Sequence, residues 1–419
     1  MTPSSTPSPP EEIATARPQV AIYQTLDELG PLREEWDNLL SSVPTATIFS
    51  SWEWLTAWWR AFANEDRLKV LAFREASGRL IGLAPLAVTV QRWLGRELRL
   101  LRFMGDGSHD SDNLDIPVLP GWEAECSPAF LDWLEQRGHD WDLCQLNTLA
   151  EGSPMGSRLR QDLMARQWTI FTSSRPWSVI ELPETWEGYL KSLSSKERGK
   201  IGLRARRLEK RYAIRMRRCA DSKDLGPCLE ALFTLHRKHW RVRGLPGTLS
   251  MPQRQQFYFE LSSSLLARGW LEFWLLELEG VPVAAQFGLR YKTTLYSLQE
   301  GFDPDYASDS VGYVLRANVL KYAISEGMRR YDFLAGTDDS KLRWGAHVQQ
   351  YVNLEFARPF SAGSACLKLN HASRHVKGWM RGHLPTQMFR AIKRLRGASA
   401  GNQPTPEVDP RGGSEGSTD

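Results

Sequence analysis

The chain has 419 residues, 42% of them hydrophobic, and a formal net charge of +4. This length suffices for two or three domains with sizeable cores, and the small net charge excludes a general polycation. Five cysteines, an odd number without C-x-x-C spacing, argue against a disulfide framework or zinc knuckle and for a reducing compartment.

The N-terminal MTPSSTPSPPEE lacks the basic start and apolar run of a signal peptide, and residues 1–17 read as a disordered Pro/Ser/Thr tail. Asp27–Leu40 and the aromatic-rich Trp52–Phe62 have helical spacing. Leu68–Arg74 and Leu80–Val90 form a predicted hairpin with Gly78 in its turn, followed by a strand at Leu98–Met104. Ala124–Arg137 is a predicted helix, Trp141–Leu146 a buried strand and Ser157–Arg166 a helix. Two short strands follow, near Trp168–Thr172 and Ser178–Leu182.

The same order then returns. Trp186–Leu193 and Lys196–Arg211 are predicted helices, Ala213–Cys219 a strand, and Leu225–Val242 and Pro252–Ala267 helices. Leu271–Glu279 and Val283–Tyr291 form a hairpin, Thr294–Gly301 a third strand and Val311–Glu326 a helix. Strands at Tyr331–Ala335 and Val352–Phe356 follow. Each half is hairpin, strand, helix, strand, so the class is α/β or α+β, with two copies of one unit. The expected organisation is a tail over 1–17, domains over 18–183 and 184–360, basic amphipathic helices over 361–396 and a second tail over 397–419. No apolar run approaches the roughly eighteen residues of a membrane span, so a cytoplasmic protein is expected.

Charge is unevenly placed. Lys191 to Arg218 holds twelve Lys/Arg against two Glu, a partner for phosphate on coenzyme A, lipid or RNA. Ser361 to Arg396 has eight Lys/Arg and no acid, with Trp379, Met380, Leu384, Met388, Phe389 and Ile392 as apolar contacts. It reads either as a peripheral contact with an anionic membrane or as a basic helix packed on the domain. Trp52, Trp54, Trp58 and Trp59 form a patch suited to core or interdomain packing, with sugar stacking the alternative. His371 and His375 have H-x-x-x-H spacing without the Glu of a metalloprotease. No set of residues calls for a metal.

The order of elements resembles that of the acyl-CoA N-acyltransferase (GNAT) fold, in tandem. Several segments are similar to its CelD/BcsL-like branch, related to the FemABX aminoacyltransferases: KSLSSKERGKIGLRARRLEKR, HRKHWRVRG, VPVAAQFGLRY, QEGFDPDYASDSVGYVL and YDFLAGTDDSKLRWG. The first half matches more loosely, through FSSWEWLTAWW, LAPLAV and GDGSHDSDNLDIPV. The hallmark D-F-x-x-G-x-x-x-x-K-x-x-W is here Asp332, Phe333, Gly336, Lys341 and Trp344.

The resemblance implies that the strands around Tyr331–Ala335 splay to admit the pantetheine arm of an acyl-CoA, acetyl-CoA foremost. It implies that the helix after the third strand meets the pyrophosphate, with Ser308, Asp309 and Ser310 as caps and Val311 and Gly312 in its first turn. The superfamily's usual Q/R-x-x-G-x-G/A phosphate loop is absent. Acyl transfer to an amine needs a base, an oxyanion donor and an acid. Glu300 is the first candidate for base, or a solvent-facing strand carboxylate. Asp332 needs a partner, which Lys341 or Arg343 could supply, and is either catalytic or half of a structural ion pair. Tyr313 is a candidate acid or a packing residue. His236, His239 and Trp240 share a helix face suited to an acceptor cleft bordered by Gly336 and Trp344.

The expected function is an N-acyltransferase acting on an amine of a sugar, nucleotide sugar or small envelope precursor. The alternatives are an aminoacyl transferase that draws on aminoacyl-tRNA, and a non-catalytic accessory protein of polysaccharide assembly.

Overall fold

The computed structural model describes residues 17–383 apart from positions 109, 243 and 246, and for 377–383 the backbone alone. The expected apolar positions Leu384, Met388, Phe389 and Ile392, and the second tail, lie outside the described residues, as do the side chains of Trp379 and Met380.

The first half comprises β1 (Gln19–Tyr23), α1 (Leu26–Leu29), α2 (Arg33–Ser42), α3 (Trp52–Phe62), β2 (Arg67–Arg74), β3 (Leu80–Trp93), β4 (Arg96–Phe103), α4 (Glu123–Gln136), β5 (Leu143–Ala150), α5 (Pro154–Ala165) and β6 (Thr169–Glu181). The second comprises α6 (Trp186–Ser192), α7 (Ser195–Glu209), β7 (Ile214–Arg218), α8 (Ser222–Arg241), α9 (Pro252–Ala267), β8 (Leu271–Leu278), β9 (Val281–Tyr291), β10 (Thr294–Phe302), α10 (Val311–Ser325), β11 (Arg330–Ala335), α11 (Asp339–Leu342), β12 (His347–Ala357) and α12 (Ala362–His383).

Local departures from the sequence reading have physical causes. The helix expected over Asp27–Leu40 is broken by a 3-10 turn at Gly30–Leu32, where Pro31 lacks a donor. The two strands expected around Ser173–Pro176 are one, β6. Its polar Ser-Ser-Arg-Pro stretch pairs on one side only, with β12, so a proline without an N–H is tolerated there.

Among the described residues, the twelve strands form one sheet, in the order β1-β2-β3-β4-β5-β12-β6-β11-β10-β9-β8-β7. Each half contributes an antiparallel run that ends in one parallel pair, β4 with β5 and β10 with β11. At the centre the halves exchange strands: β12 pairs with β5, and β6 pairs with β11. The sheet is therefore continuous across residues 183 and 184.

One large core runs under α2, α3, α4, α8 and α9, and a second lies under α6, α7 and α10. The Trp patch serves the first: Trp54 and Trp58 are buried, and Trp54 meets Phe257 of α9 edge-on at 5.4 Å between centroids. Those two rings are not available for sugar stacking. All five cysteines are free and buried. The first turns of α12 pack on the sheet through Cys366 and Leu367, and Arg374 pairs with Glu355 at 3.0 Å. No described helix is long and apolar enough to cross a membrane.

Candidate functional site

The β10–β11 pairing covers only Thr294–Tyr296 against Arg330–Asp332. Beyond it, β10 carries a bulge between Ser297 and Gln299, and β11 breaks register between Asp332 and Ala335, with Leu334 at φ +61°. A leucine in the left-handed region is strained and persists only where its surroundings over-determine it. Here they do. Asp332 Oδ1 accepts the Leu334 N–H at 2.7 Å, and Asp112 Oδ2 accepts the Ala335 N–H at 2.9 Å. Lys341 Nζ donates to the carbonyls of Phe333 (3.3 Å), Ala335 (2.8 Å) and Gly336 (3.1 Å). The strands diverge at this point because side chains, not a neighbouring strand, satisfy the backbone of β11.

Lys341 thus clamps the strand end. Burial lowers its pKa, against the raising effect of Asp338, Asp112 and Asp332. It does not bond Asp332, and Arg343 donates to the Asp339 carbonyl instead, so neither is the ion-pair partner expected for Asp332. Asp332 is 1% exposed, and burial raises its pKa to about 7, with Asp112 adding repulsion. Its second oxygen is approached by Asn113 Nδ2 at 3.4 Å, which also donates to Tyr351 Oη at 3.0 Å.

The loop after β4, in the first half, supplies these partners. Asp112 is buried and its pKa is raised to about 6, an effect that Arg175 and Lys341 moderate. Asp110 pairs with Arg254 at 3.1 Å and accepts from Tyr258 at 3.1 Å. The sequence alone gave the segment GDGSHDSDNLDIPV no role beyond its family resemblance. Its signal was a run of acids and glycines between a strand and a helix, too long for a simple turn.

On the other face of the sheet, Tyr313 packs against Trp344 with ring centroids 4.3 Å apart, and the Arg204 guanidinium lies 4.2 Å over the Tyr313 ring. Burial raises the Tyr313 pKa. Glu300 is neither a free base nor a lone surface carboxylate. Arg316 grips both its oxygens, Nε at 3.2 Å and Nη2 on the other, and Ser297 Oγ donates at 3.1 Å.

The expected caps of α10 are rearranged. Ser310 sits at the N-cap in a left-handed conformation and makes no side-chain cap bond. Asp309 turns away to pair with Arg211 and accept from Tyr212 at 3.2 Å, and Ser308 lies in the preceding 3-10 turn. The first-turn N–H groups of Val311, Gly312 and Tyr313 therefore have no side-chain acceptor at Ser310. A Cβ on Gly312 would meet only the Phe302 side chain, at 3.6 Å.

Beside this end runs α7. Lys196, Lys200, Arg204 and Arg207 fall on one helical face, continued by Arg211, over about 20 Å. Arg204 touches Tyr313 and Arg211 touches Asp309, so the cationic face borders the start of α10. Lys196, Arg206, Arg207 and Lys210 are exposed and, among the described residues, make no ion pair.

His236 is buried in α8 behind β10. Burial lowers its pKa to about 4, helped by His239 and Arg254. Gly301 brings β10 so close that a Cβ there would sit 2.7 Å from the His236 backbone nitrogen. His239 lies against Phe302 at 4.5 Å, and Trp240 against His236 at 5.9 Å. This trio packs at the end of β10, on the face opposite Trp344. Gly336, at φ +88°, closes the turn after β11. A groove of about 540 Å³ lies between α6–α7 and α11, lined by Ser192, Ser194, Glu197, Asp339 and Arg343. Among the described residues, no group of three or more His, Cys, Asp or Glu is placed to hold a metal ion.

Residues 195–342 match the family model described as acetyltransferase (GNAT) domain. No curated protein matches the chain. Among solved structures, the chain is similar to FemX, with a TM-score of 0.56 and 13% identity over 78% of this chain and 96% of that one. It is also similar to a conserved protein of unknown function from Bacteroides thetaiotaomicron VPI-5482, with a TM-score of 0.50 and 13% identity over 78% and 97%. The fold is thus of tandem GNAT type. The matched domain takes in α7, the diverging strands and the clamped end of β11.

Proposed function

We propose that the chain is an N-acyltransferase. It moves an acyl group from an acyl-CoA, acetyl-CoA foremost, to an amine of a sugar, nucleotide sugar or small envelope precursor. The observation that carries this reading is the meeting of three features at one place. The strands part after Tyr296 and Asp332, the start of α10 has no side-chain cap, and the cationic face of α7 lies beside it.

These residues fit a phosphate-bearing donor. The α10 N–H groups and Arg204 and Arg207 would hold phosphate, with Arg211 neutralising Asp309. A bound acyl-CoA would supply an activated thioester. The protein's part is to orient it along the parted strands. The groove by α11, with Glu197 and Asp339, suits the ammonium of an acceptor. Isothermal titration with acetyl-CoA and longer acyl-CoAs tests the reading. Micromolar binding that is lost in Gly312→Leu supports it, and the absence of binding to every acyl-CoA refutes it.

A second reading, transfer of an aminoacyl group from tRNA, is favoured by the length of the α7 cationic face. Its mark is binding of bulk tRNA with a steep salt dependence.

A further inference from the structure

At one end of the sheet two large apolar side chains stand in solvent. Leu100 of β4 pairs with Leu143 of β5, and Cys144 of β5 with Phe356 of β12, so the start of β4 and the end of β12 share that end. Leu94 is at the tip of the β3–β4 hairpin and is 81% exposed. Phe360, in the turn from β12 into α12, is fully exposed. Both hold left-handed backbone, at φ +48° and +55°. The two-residue turn Leu94-Gly95 has positive φ at both positions, a conformation that favours Asn-Gly. A bulky residue there is strained, and an exposed one gains nothing from the core in return. Folding alone favours Asn or Gly at both positions.

Helix α12 extends this surface. Its inner face packs Cys366 and Leu367 against Leu98, Leu100 and Leu143, where Trp93 of the hairpin joins them. The opposite face carries Ala365, Leu369, Ala372 and Val376, spaced by four, three and four, and all of them are exposed. A helix packed on one side ordinarily shows polar residues on the other, whereas α12 shows a second apolar stripe. The surrounding charge has one sign. Arg92 and Arg96 on the hairpin and Lys368 on α12 are exposed and, among the described residues, make no ion pair. Glu97 is the one acid of β3, β4 and α12, and the sequence holds no acid from Phe360 to Arg396.

We propose that this end of the molecule is a docking face for an anionic membrane surface. Leu94 and Phe360 enter the boundary between headgroups and acyl chains, and the outer stripe of α12 lies along it. Arg92, Arg96 and Lys368 meet the lipid phosphates. Apolar contact and opposite charge together give attachment without a spanning helix. The parted strands stay open to their substrates. Ala335 is level with Trp177 and Gln349, about 26 Å along β12 from Ala357. The attachment does not depend on which acyl donor the protein uses.

Co-sedimentation of the full chain with vesicles tests the face. Vesicles of equal parts phosphatidylcholine and phosphatidylglycerol should take up the wild type about tenfold more strongly than phosphatidylcholine alone, and high salt should release it. In the double variant Leu94→Asn/Phe360→Asn, both new residues accept the left-handed backbone more readily, so it should melt no lower than the wild type. Its partition onto the anionic vesicles should fall about tenfold. Leu369→Gln on the outer stripe of α12 should act in the same direction. Uptake that is absent, equal on both vesicles or undiminished in the double variant overturns the proposal. So does a wild type that sediments as a dimer in solution and a double variant that does not, because the face would then belong to a second copy. A double variant that melts lower also overturns it, because the chain's own C-terminal residues would then cover the face.

Discussion

Replacing Asp112 with Asn should make the protein less sensitive to pH. Asp112 reaches from the first half to the Ala335 N–H, and burial raises its pKa to about 6. An unfolded Asp titrates near 3.9 and each pKa unit corresponds to 1.36 kcal/mol, so ionising Asp112 in the folded state costs about 3 kcal/mol. The sign follows from the raised value. Between about pH 4 and 6 the folded protein keeps a proton that the unfolded chain has lost. Stability is therefore full below pH 4, falls as pH rises through 6, and is flat above. Asp332, raised to about 7 partly by Asp112, extends the fall.

His236 works in the opposite direction. Its value of about 4 lies below the usual 6.5, so it adds stability as pH rises across the same window. That contribution is common to wild type and variant and cancels in their difference. An Asn still accepts the Ala335 N–H. Urea unfolding at pH 4.5, 6 and 7.5 should show Asp112→Asn gaining on the wild type by about 2 kcal/mol from the lowest pH to the highest, the rest of the effect lying below pH 4.5. A constant offset across that range would refute the reasoning, because it would mean that the carboxyl is equally ionised in both states.

Three further outcomes are expected. Gly301→Ala should destabilise by about 1–3 kcal/mol in a denaturant titration, because the new methyl would sit 2.7 Å from the His236 backbone nitrogen and force α8 off the sheet. Lys341→Met keeps the apolar stem but loses three bonds to carbonyls, so its urea midpoint should fall by the equivalent of about 2 kcal/mol. The double variant Lys196→Glu/Arg207→Glu changes two exposed residues and should fold normally. Its affinity for CoA should fall about tenfold at low ionic strength, and the difference should shrink in 0.5 M salt.

The elements themselves were legible in the sequence. Trp52–Phe62 and Pro252–Ala267 stand where their apolar spacing and their caps or N-terminal Pro put them, and both hairpins turn at their glycines. The repeated order of hairpin, strand, helix and strand is present in both halves, and each strand–helix–strand step closes as a parallel pair. The candidate site was legible in part. Asp332 and Lys341 do lie at the end of β11, Trp344 sits on the other face of the sheet, and the basic run does border the start of α10. Capping by Asp309 was misjudged, because its side chain is claimed by Arg211, 98 positions earlier. Arg316, which takes both oxygens of Glu300, reads as an ordinary helix residue.

What the sequence determined alone was local: periodicity, turn chemistry and the density of charge along the chain. These depend on neighbours a few residues apart, which every window of the chain contains. The tertiary structure decided which strands meet at the centre, where β6 and β12 cross between the halves. It also decided that Asn113 and Asp332, 219 positions apart, share one buried polar cluster. Contacts of that kind depend on burial, which turns a carboxylate from an ordinary solvated charge into a group that must find a distant partner or keep its proton.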